Sequence, residues 1–356
     1  MSALQEILLQ TTPLQAALLR KLVQLPAPVL RKLAGGPAPE VDGNRLAPEV
    51  ELLLAVLNAA GDSMPNGESV EQARREVAIT WPALGPKSPP MQRVEDTFIP
   101  DAAGNPMRLR CYIPHGITEP TPALVFFHGG GWVLGDIDTH DPVTRCLAAD
   151  LGMPVFSVDY RLAPEHPFPA GLEDAQAAFS WVRKHAPRYG VDPGRIAVGG
   201  DSAGGNFSAV ACQQLLFRGE PGPAAQLLLY PGTDFRLQTR SMQVFAKGYV
   251  LERANIDWYR ERYFGDQDPT LDPRGSPLLA PRLAGLPPAV LVTAGFDVLR
   301  DEGEAYAEAL RAAGVSVEYF CARDQIHGFA NMAGVVPTAR SALRDAAAKL
   351  KRLLVD

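Results

Sequence analysis

Apolar residues in this chain fall into short unbroken runs separated by stretches where they recur at helical spacing, with glycine and proline at the joints. The runs at residues 122–127, 154–158, 226–230, 289–294 and 316–321 are of strand length, and within residues 192–199 the run Ile196-Ala197-Val198 reads as a short buried strand. The purest, Ala289-Val290-Leu291-Val292-Thr293-Ala294, lacks the polar alternation of a half-exposed strand and reads as buried on both faces. Residues 203–217 read as a helix. So do residues 301–313, with acidic Asp301 and Glu302 at the positive end of the helix dipole and Gly314 as the stop. Upstream, residues 91–99 and 106–113 read as a hairpin turning at 101–105. Alternating strands and helices predict an α/β protein: a mostly parallel central sheet flanked by helices, with an antiparallel edge.

Two stretches stand outside that rhythm. Residues 14–25 and 50–60 are apolar and helical in pattern, the second stopping at Gly61, with prolines between and beyond them. Residues 1–88 are read as N-terminal cap helices over a catalytic domain of residues 89–356. A second cap insertion is expected at about residues 235–270, carrying an amphipathic helix around 255–264. Its aromatic residues Phe245, Trp258 and Tyr259 either line a pocket or form the core of the cap.

Composition narrows the function classes. A chain of 356 residues can bury one large core, so one domain with a cap is more natural than two independent domains. A formal charge of -6 with no long basic run argues against a nucleic-acid partner. The cysteines at 111, 146, 212 and 321 include no C-x-x-C pair, and no metal site is implied. Cys212 and Cys321 read as buried small apolar residues in a reducing, cytoplasmic compartment. Neither N-terminal segment reaches the roughly 18 uninterrupted apolar residues of a membrane span. Met1-Ser2-Ala3-Leu4-Gln5-Glu6 lacks the basic start of a signal peptide, so no stable membrane insertion is expected.

The candidate chemistry sits between the short Ile196-Ala197-Val198 strand and the 203–217 helix. Gly200-Asp201-Ser202-Ala203-Gly204 fits a nucleophile elbow, in which a serine occupies a sharp strand-to-helix turn and flanking glycines remove the Cβ atoms that would collide. The competing reading is a helix N-cap, where the hydroxyl only accepts a backbone N–H. Chain order separates the two, because an elbow serine is followed by an acid and then a histidine. Of the six histidines only His327 lies beyond Ser202, in Asp324-Gln325-Ile326-His327-Gly328-Phe329 at the end of the last strand. For the acid, Asp297 and Asp234 both follow apolar strands at the carboxyl-terminal rim, where open α/β sheets keep their chemistry. His128-Gly129-Gly130-Gly131-Trp132 follows the 122–127 strand and can offer backbone N–H groups to an oxyanion. Gly129, Gly130 and Ala203 are the expected donors, and His128 is expected to orient the loop.

Together these segments resemble the hormone-sensitive-lipase-like branch of the α/β-hydrolases. The matching residues are His128-Gly129-Gly130-Gly131-Trp132, the proline-rich run from Asp159-Tyr160-Arg161-Leu162-Ala163-Pro164-Glu165-His166 to Ala170, Gly200-Asp201-Ser202-Ala203-Gly204-Gly205, and His327-Gly328-Phe329. The likeness covers about residues 90–350, and favours Asp297 over Asp234 as the acid. One departure stands at Val298, where the family usually has proline after the aspartate.

The resemblance implies an α/β-hydrolase fold with a helical cap and a serine carboxylesterase using Ser202, His327 and Asp297, with no cofactor. Its substrate would be a small-molecule ester of short to medium acyl chain. The proline-rich run would support the oxyanion loop, which leaves Arg161, Glu165 and His166 outside the catalytic set. A homodimer through the 316–321 strand is plausible on the same grounds. The alternatives are an acetylated metabolite, lactone or amide as substrate, or a receptor that binds without cleaving.

Overall fold

The computed structural model describes residues 19–60, 69–118 and 120–355. Residues 1–6, the start of the 14–25 segment and Gly61 lie outside the described residues. Among the described residues, α1 (Ala27–Leu33), α2 (Pro48–Ala60) and α3 (Val70–Leu84) precede the sheet. Then follow β1 (Arg93–Pro100), β2 (Pro106–Ile113), β3 (Thr121–Phe127), α4 (Asp141–Leu151), β4 (Val155–Val158), α5 (Ala170–His185), β5 (Val191–Asp201), α6 (Ala203–Phe217) and β6 (Gln226–Leu229). After α7 (Arg240–Val244) and α8 (Arg253–Phe264), the chain closes with β7 (Ala289–Phe296), α9 (Arg300–Ala312), β8 (Val317–Ile326) and α10 (Pro337–Val355).

In space the strands run β1-β2-β4-β3-β5-β6-β7-β8. β2 is antiparallel to both β1 and β4, and every pair from β4 onward is parallel. The hairpin forms as the pattern predicts, with Asp101 accepting from the N–H groups of Ala103 and Asn105 at the turn. β3 and β7 are buried along their whole length because helices cover both faces of the sheet, which explains sequences without alternation. Parallel pairing sets Phe127 opposite Gly200 and Asp201 opposite Leu229, bringing the carboxyl ends of β3, β5 and β6 to one rim.

The last strand differs from the pattern. β8 does not stop at Cys321 but continues to Ile326, which pairs with Phe296 beyond a register shift after Ala294. Arg323, Asp324 and Gln325 hide this continuation. Buried Gln325 donates to Thr338 Oγ1 at 2.7 Å, and an edge strand tolerates polar residues such as Arg323 and Asp324 on its open side. For the same reason Cys321 is half-buried rather than buried, while Cys212 is fully buried in α6.

The N-terminal segments are bonded to the body. Arg20 donates to the carbonyls of Ala83 and Gly85, Ala47 N–H to Asp324 O, and Arg300 to the carboxylate of Asp42. Ser69 caps α3, accepting from Gln72 N–H at 3.2 Å. Among the described residues no helix is long and apolar enough to cross a membrane.

Candidate active site

β5 ends at Asp201 and α6 begins at Ala203, leaving Ser202 alone in the turn at φ 53° and ψ -116°. A non-glycine residue held there stores strain on the order of 1–3 kcal/mol. The flanking glycines are steric necessities: a Cβ on Gly200 would strike Phe127 O and Gly204, and one on Gly204 would strike Phe127 O. Ser202 N–H donates to Leu229 O at 2.9 Å, fixing the turn to β6. Its hydroxyl makes no helix-capping bond, which removes the N-cap reading.

That hydroxyl faces His327. Ser202 Oγ and His327 Nε2 are 2.9 Å apart, and His327 Nδ1 lies 2.8 Å from Asp297 Oδ2. An ionised carboxylate only accepts, so Nδ1 carries the imidazole proton, Nε2 is the acceptor and the serine donates to it. Asp297 comes straight off β7 and is 1% exposed, and its Oδ1 accepts from Leu299 N–H at 2.9 Å. Where Val298 replaces proline, that bond and Arg300 Nη1 donating to Gly295 O at 3.2 Å hold the loop. Asp234 does not share this arrangement: its carboxylate is gripped by Arg236 at 2.7 to 3.0 Å.

The glycine loop departs from expectation at one position. Gly129 N–H donates to Asp201 Oδ1 at 2.8 Å, and Gly129 is not on the cavity wall, whereas Gly130, Gly131 and Ala203 are. The peptide planes explain the shift from Gly129 to Gly131. His128 Nδ1–H donates to Gly129 O at 2.8 Å, and Gly130 O accepts from Val133 and Leu134 N–H at 3.1 and 2.9 Å. In a trans peptide the N–H points opposite the carbonyl, so the Gly130 and Gly131 N–H groups turn away from those bonds. Among the described residues no hydrogen bond occupies them. The Ala203 N–H, at the first turn of α6, is free of an intrahelical partner as well.

Behind the loop lies a buried polar layer. Burial, reinforced by repulsion from His140, pushes His128 down to about 4, so it is neutral near pH 7 and fixed as a donor through Nδ1. Tyr160 stacks on it at 4.2 Å and donates to its carbonyl at 2.7 Å. Burial alone would raise Asp201, but His140 at 3.3 Å and the Gly129 N–H hold its carboxyl below the usual value. Asp201, beside the nucleophile in the elbow, thus also braces the loop. In the proline-rich segment Arg161 pairs with Asp174 and Glu165 with Arg74, and neither they nor His166 line the cavity.

Above Ser202 lies a cavity of about 250 Å³. Its walls come from α2 and α3 through Leu53 and Trp81, and from the insertion through Phe235, Leu251 and Tyr259. Of the three aromatic candidates only Tyr259 lines it. Phe245 packs on Tyr249 and Phe296, and Trp258 lies under the Arg262 guanidinium, so both are core. Glu302 is also on the wall. Rather than merely opening α9, it is 2% exposed and accepts from the N–H groups of Thr233 and Asp234, and burial pushes its carboxyl well above the usual value. A glutamate in the first turn of a helix is ordinary, and nothing in its spacing distinguishes a buried one.

The chain has relatives among known proteins. A family model described as alpha/beta hydrolase fold matches residues 124–331. The carboxylic ester hydrolase LipN of Mycobacterium tuberculosis is 48% identical over 300 residues, 82% of this chain and 79% of that protein. The ethyl acetate hydrolase of Pseudomonas putida is 33% identical over 306 residues, 84% of this chain and 96% of its own length. Among solved structures, an ester hydrolase from the metagenome of Lake Arreo, complexed with a bipyridine phosphonate derivative, superposes with a TM-score of 0.83 at 40% identity, covering 86% of this chain and 98% of its own. The chain belongs to the α/β-hydrolase family, in its hormone-sensitive-lipase-like branch.

Proposed function

We propose that this chain is a carboxylesterase that cleaves short- to medium-chain acyl esters through an acyl-enzyme on Ser202. The observation that carries this reading is one imidazole bridging a strained serine and a buried carboxylate, at 2.9 and 2.8 Å, on the floor of a bounded cavity. His327 takes the proton as Ser202 Oγ attacks the ester carbonyl, and Asp297 holds the ring in its working tautomer and stabilises the imidazolium. The N–H groups of Gly130, Gly131 and Ala203 receive the oxyanion. His327 then protonates the leaving alcohol, and water repeats the sequence to free the acid. No cofactor enters these steps.

The cavity supports a bounded substrate, because residues before the sheet and residues of the insertion close over it together. In this reading residues 1–88 and about 235–270 are two halves of one cap. The test is a turnover series of aryl esters of increasing acyl length, paired with labelling by a serine-reactive phosphonate. Turnover should peak at short or medium chains, with the label on Ser202. No turnover and no label on Ser202 would overturn the reading.

A further inference from the structure

The glycine loop is held from outside its own segment. Gly130, Gly131 and Trp132 have φ of 119°, 59° and 63°, and for a bulky side chain such as Trp132 this is a conformation that needs outside support. Trp132 O accepts from Ala163 N–H at 3.0 Å. Val133 O accepts from Arg74 Nε at 2.9 Å. Arg74 stands on α3, and the rest of its guanidinium reaches further: Nη2 donates to Ala163 O at 2.9 Å, and Nη1 and Nη2 meet the Glu165 carboxylate at 2.7 and 2.8 Å. One planar group therefore joins a cap helix, the glycine loop and the proline-rich segment behind it.

We propose that Arg74 is a positioning residue for the oxyanion hole. By fixing the carbonyls of Val133 and Ala163, it keeps the turn that presents the Gly130 and Gly131 N–H groups, and so makes the hole conditional on α3 being docked. The inference rests on the assignment of those N–H groups as oxyanion donors. From the other side, α8 presses on the same turn: the Trp132 indole stacks on Tyr263 at 4.6 Å, and the Tyr259 ring fills the place a Cβ on Gly131 would need. Because preorganised donors act on charge that develops in the transition state, loosening them lowers kcat rather than raising KM.

The test replaces Arg74 by methionine, which keeps an apolar stem and removes every donor. R74M should lower kcat by about tenfold or more and leave KM within about threefold. Its affinity for a trifluoromethyl ketone, which forms a tetrahedral adduct on the serine, should fall in step with kcat/KM. The neighbouring R75M removes an exposed arginine that pairs with Glu71 and should retain the parent kcat. Should R74M fail to fold, R74K carries the same test, since a single ammonium cannot reproduce the guanidinium fork. A kcat within twofold of the parent, an unchanged ketone affinity, or a rise in KM proportional to the loss in kcat/KM overturns the proposal. S202A is measured alongside. If it turns over esters at the parent rate, the acyl-enzyme on Ser202 and the oxyanion hole beside it fail; if it is inactive while R74M behaves as the parent, only the role of Arg74 fails.

Discussion

At the scale of single residues the site divides into groups that chain order selects and groups that only a third-dimension partner selects. Ser202 and His327 belong to the first kind. Ser202→Ala should reduce kcat on the order of 10⁶-fold while the protein stays folded, because the serine and histidine act as one unit. Near-parental turnover in steady-state assays would remove Ser202 from the chemistry. Asp297 is favoured over Asp234 in sequence partly by the family resemblance, since both follow apolar strands; the imidazole contact and the Arg236 grip separate them. Asp297→Asn should therefore cost about 10⁴ in kcat, as expected when the wrong tautomer is stabilised, and Asp234→Asn far less. Equal losses would show that the hydrogen-bond geometry does not define the acid. The choice between Gly129 and Gly131 could not be read from the sequence at all. Three consecutive glycines look alike, and what distinguishes the first is a bond to Asp201, seventy-two positions away. Gly130 has φ 119° and a Cβ there would strike Leu134 O, so Gly130→Ala should lower kcat by about 10² or more. A parental kcat in that variant would place the donors elsewhere.

At the scale of elements, apolar runs and glycine stops located the strands and the α9 helix because burial on both faces leaves a dense signal. The signal thinned where one side is open, at β8, and where a proline interrupts, as Pro82 does inside α3. The buried polar layer between β3 and β5 left no pattern of its own, yet it sets how this part of the fold responds to acid. His128 sits at about 4 in the folded protein, against about 6.5 in the unfolded chain. The unfolded chain thus binds more protons between those values, and the stability contributed by neutral His128 is complete above pH 6.5 and is lost as pH falls toward 4. At 1.36 kcal/mol per unit, that contribution is on the order of 3 kcal/mol. Urea denaturation at pH 7, 5.5 and 4.5 should show the loss, and His128→Asn should flatten its slope. Parallel slopes for parent and variant would place the acid sensitivity in another group.

At the scale of the whole molecule, the cavity wall is assembled from segments far apart in sequence, which is why a cap was expected but its substrate preference was not legible. Assembled, the wall has a definite electrostatic character. Among the described residues it carries the carboxyl groups of Glu76, Asp201, Asp234 and Glu302 but no lysine or arginine. Asp234 is paired with Arg236 and Asp201 contacts His140, which leaves Glu76 as the exposed carboxylate, and the chain as a whole has a formal charge of -6. Burial pushes the Glu302 carboxyl well above the usual range, which weakens its share of that field. An ester that carries its own carboxylate meets this wall with no cation to pair it, whereas the carboxylate produced by hydrolysis of a neutral ester is driven outward. A hemisuccinate ester should therefore show a kcat/KM about tenfold or more below that of a neutral ester of equal length, with the deficit mainly in KM. Raising ionic strength from 0.01 to 1 M shortens the Debye length from about 30 to 3 Å, so the gap should narrow with salt. Glu76→Gln, which removes an exposed charge at the cavity wall, should narrow it at low salt alone. A gap that ignores both salt and Glu76→Gln would mean that the anionic ester is rejected by shape, and that the charge of the wall plays no part in the choice of substrate.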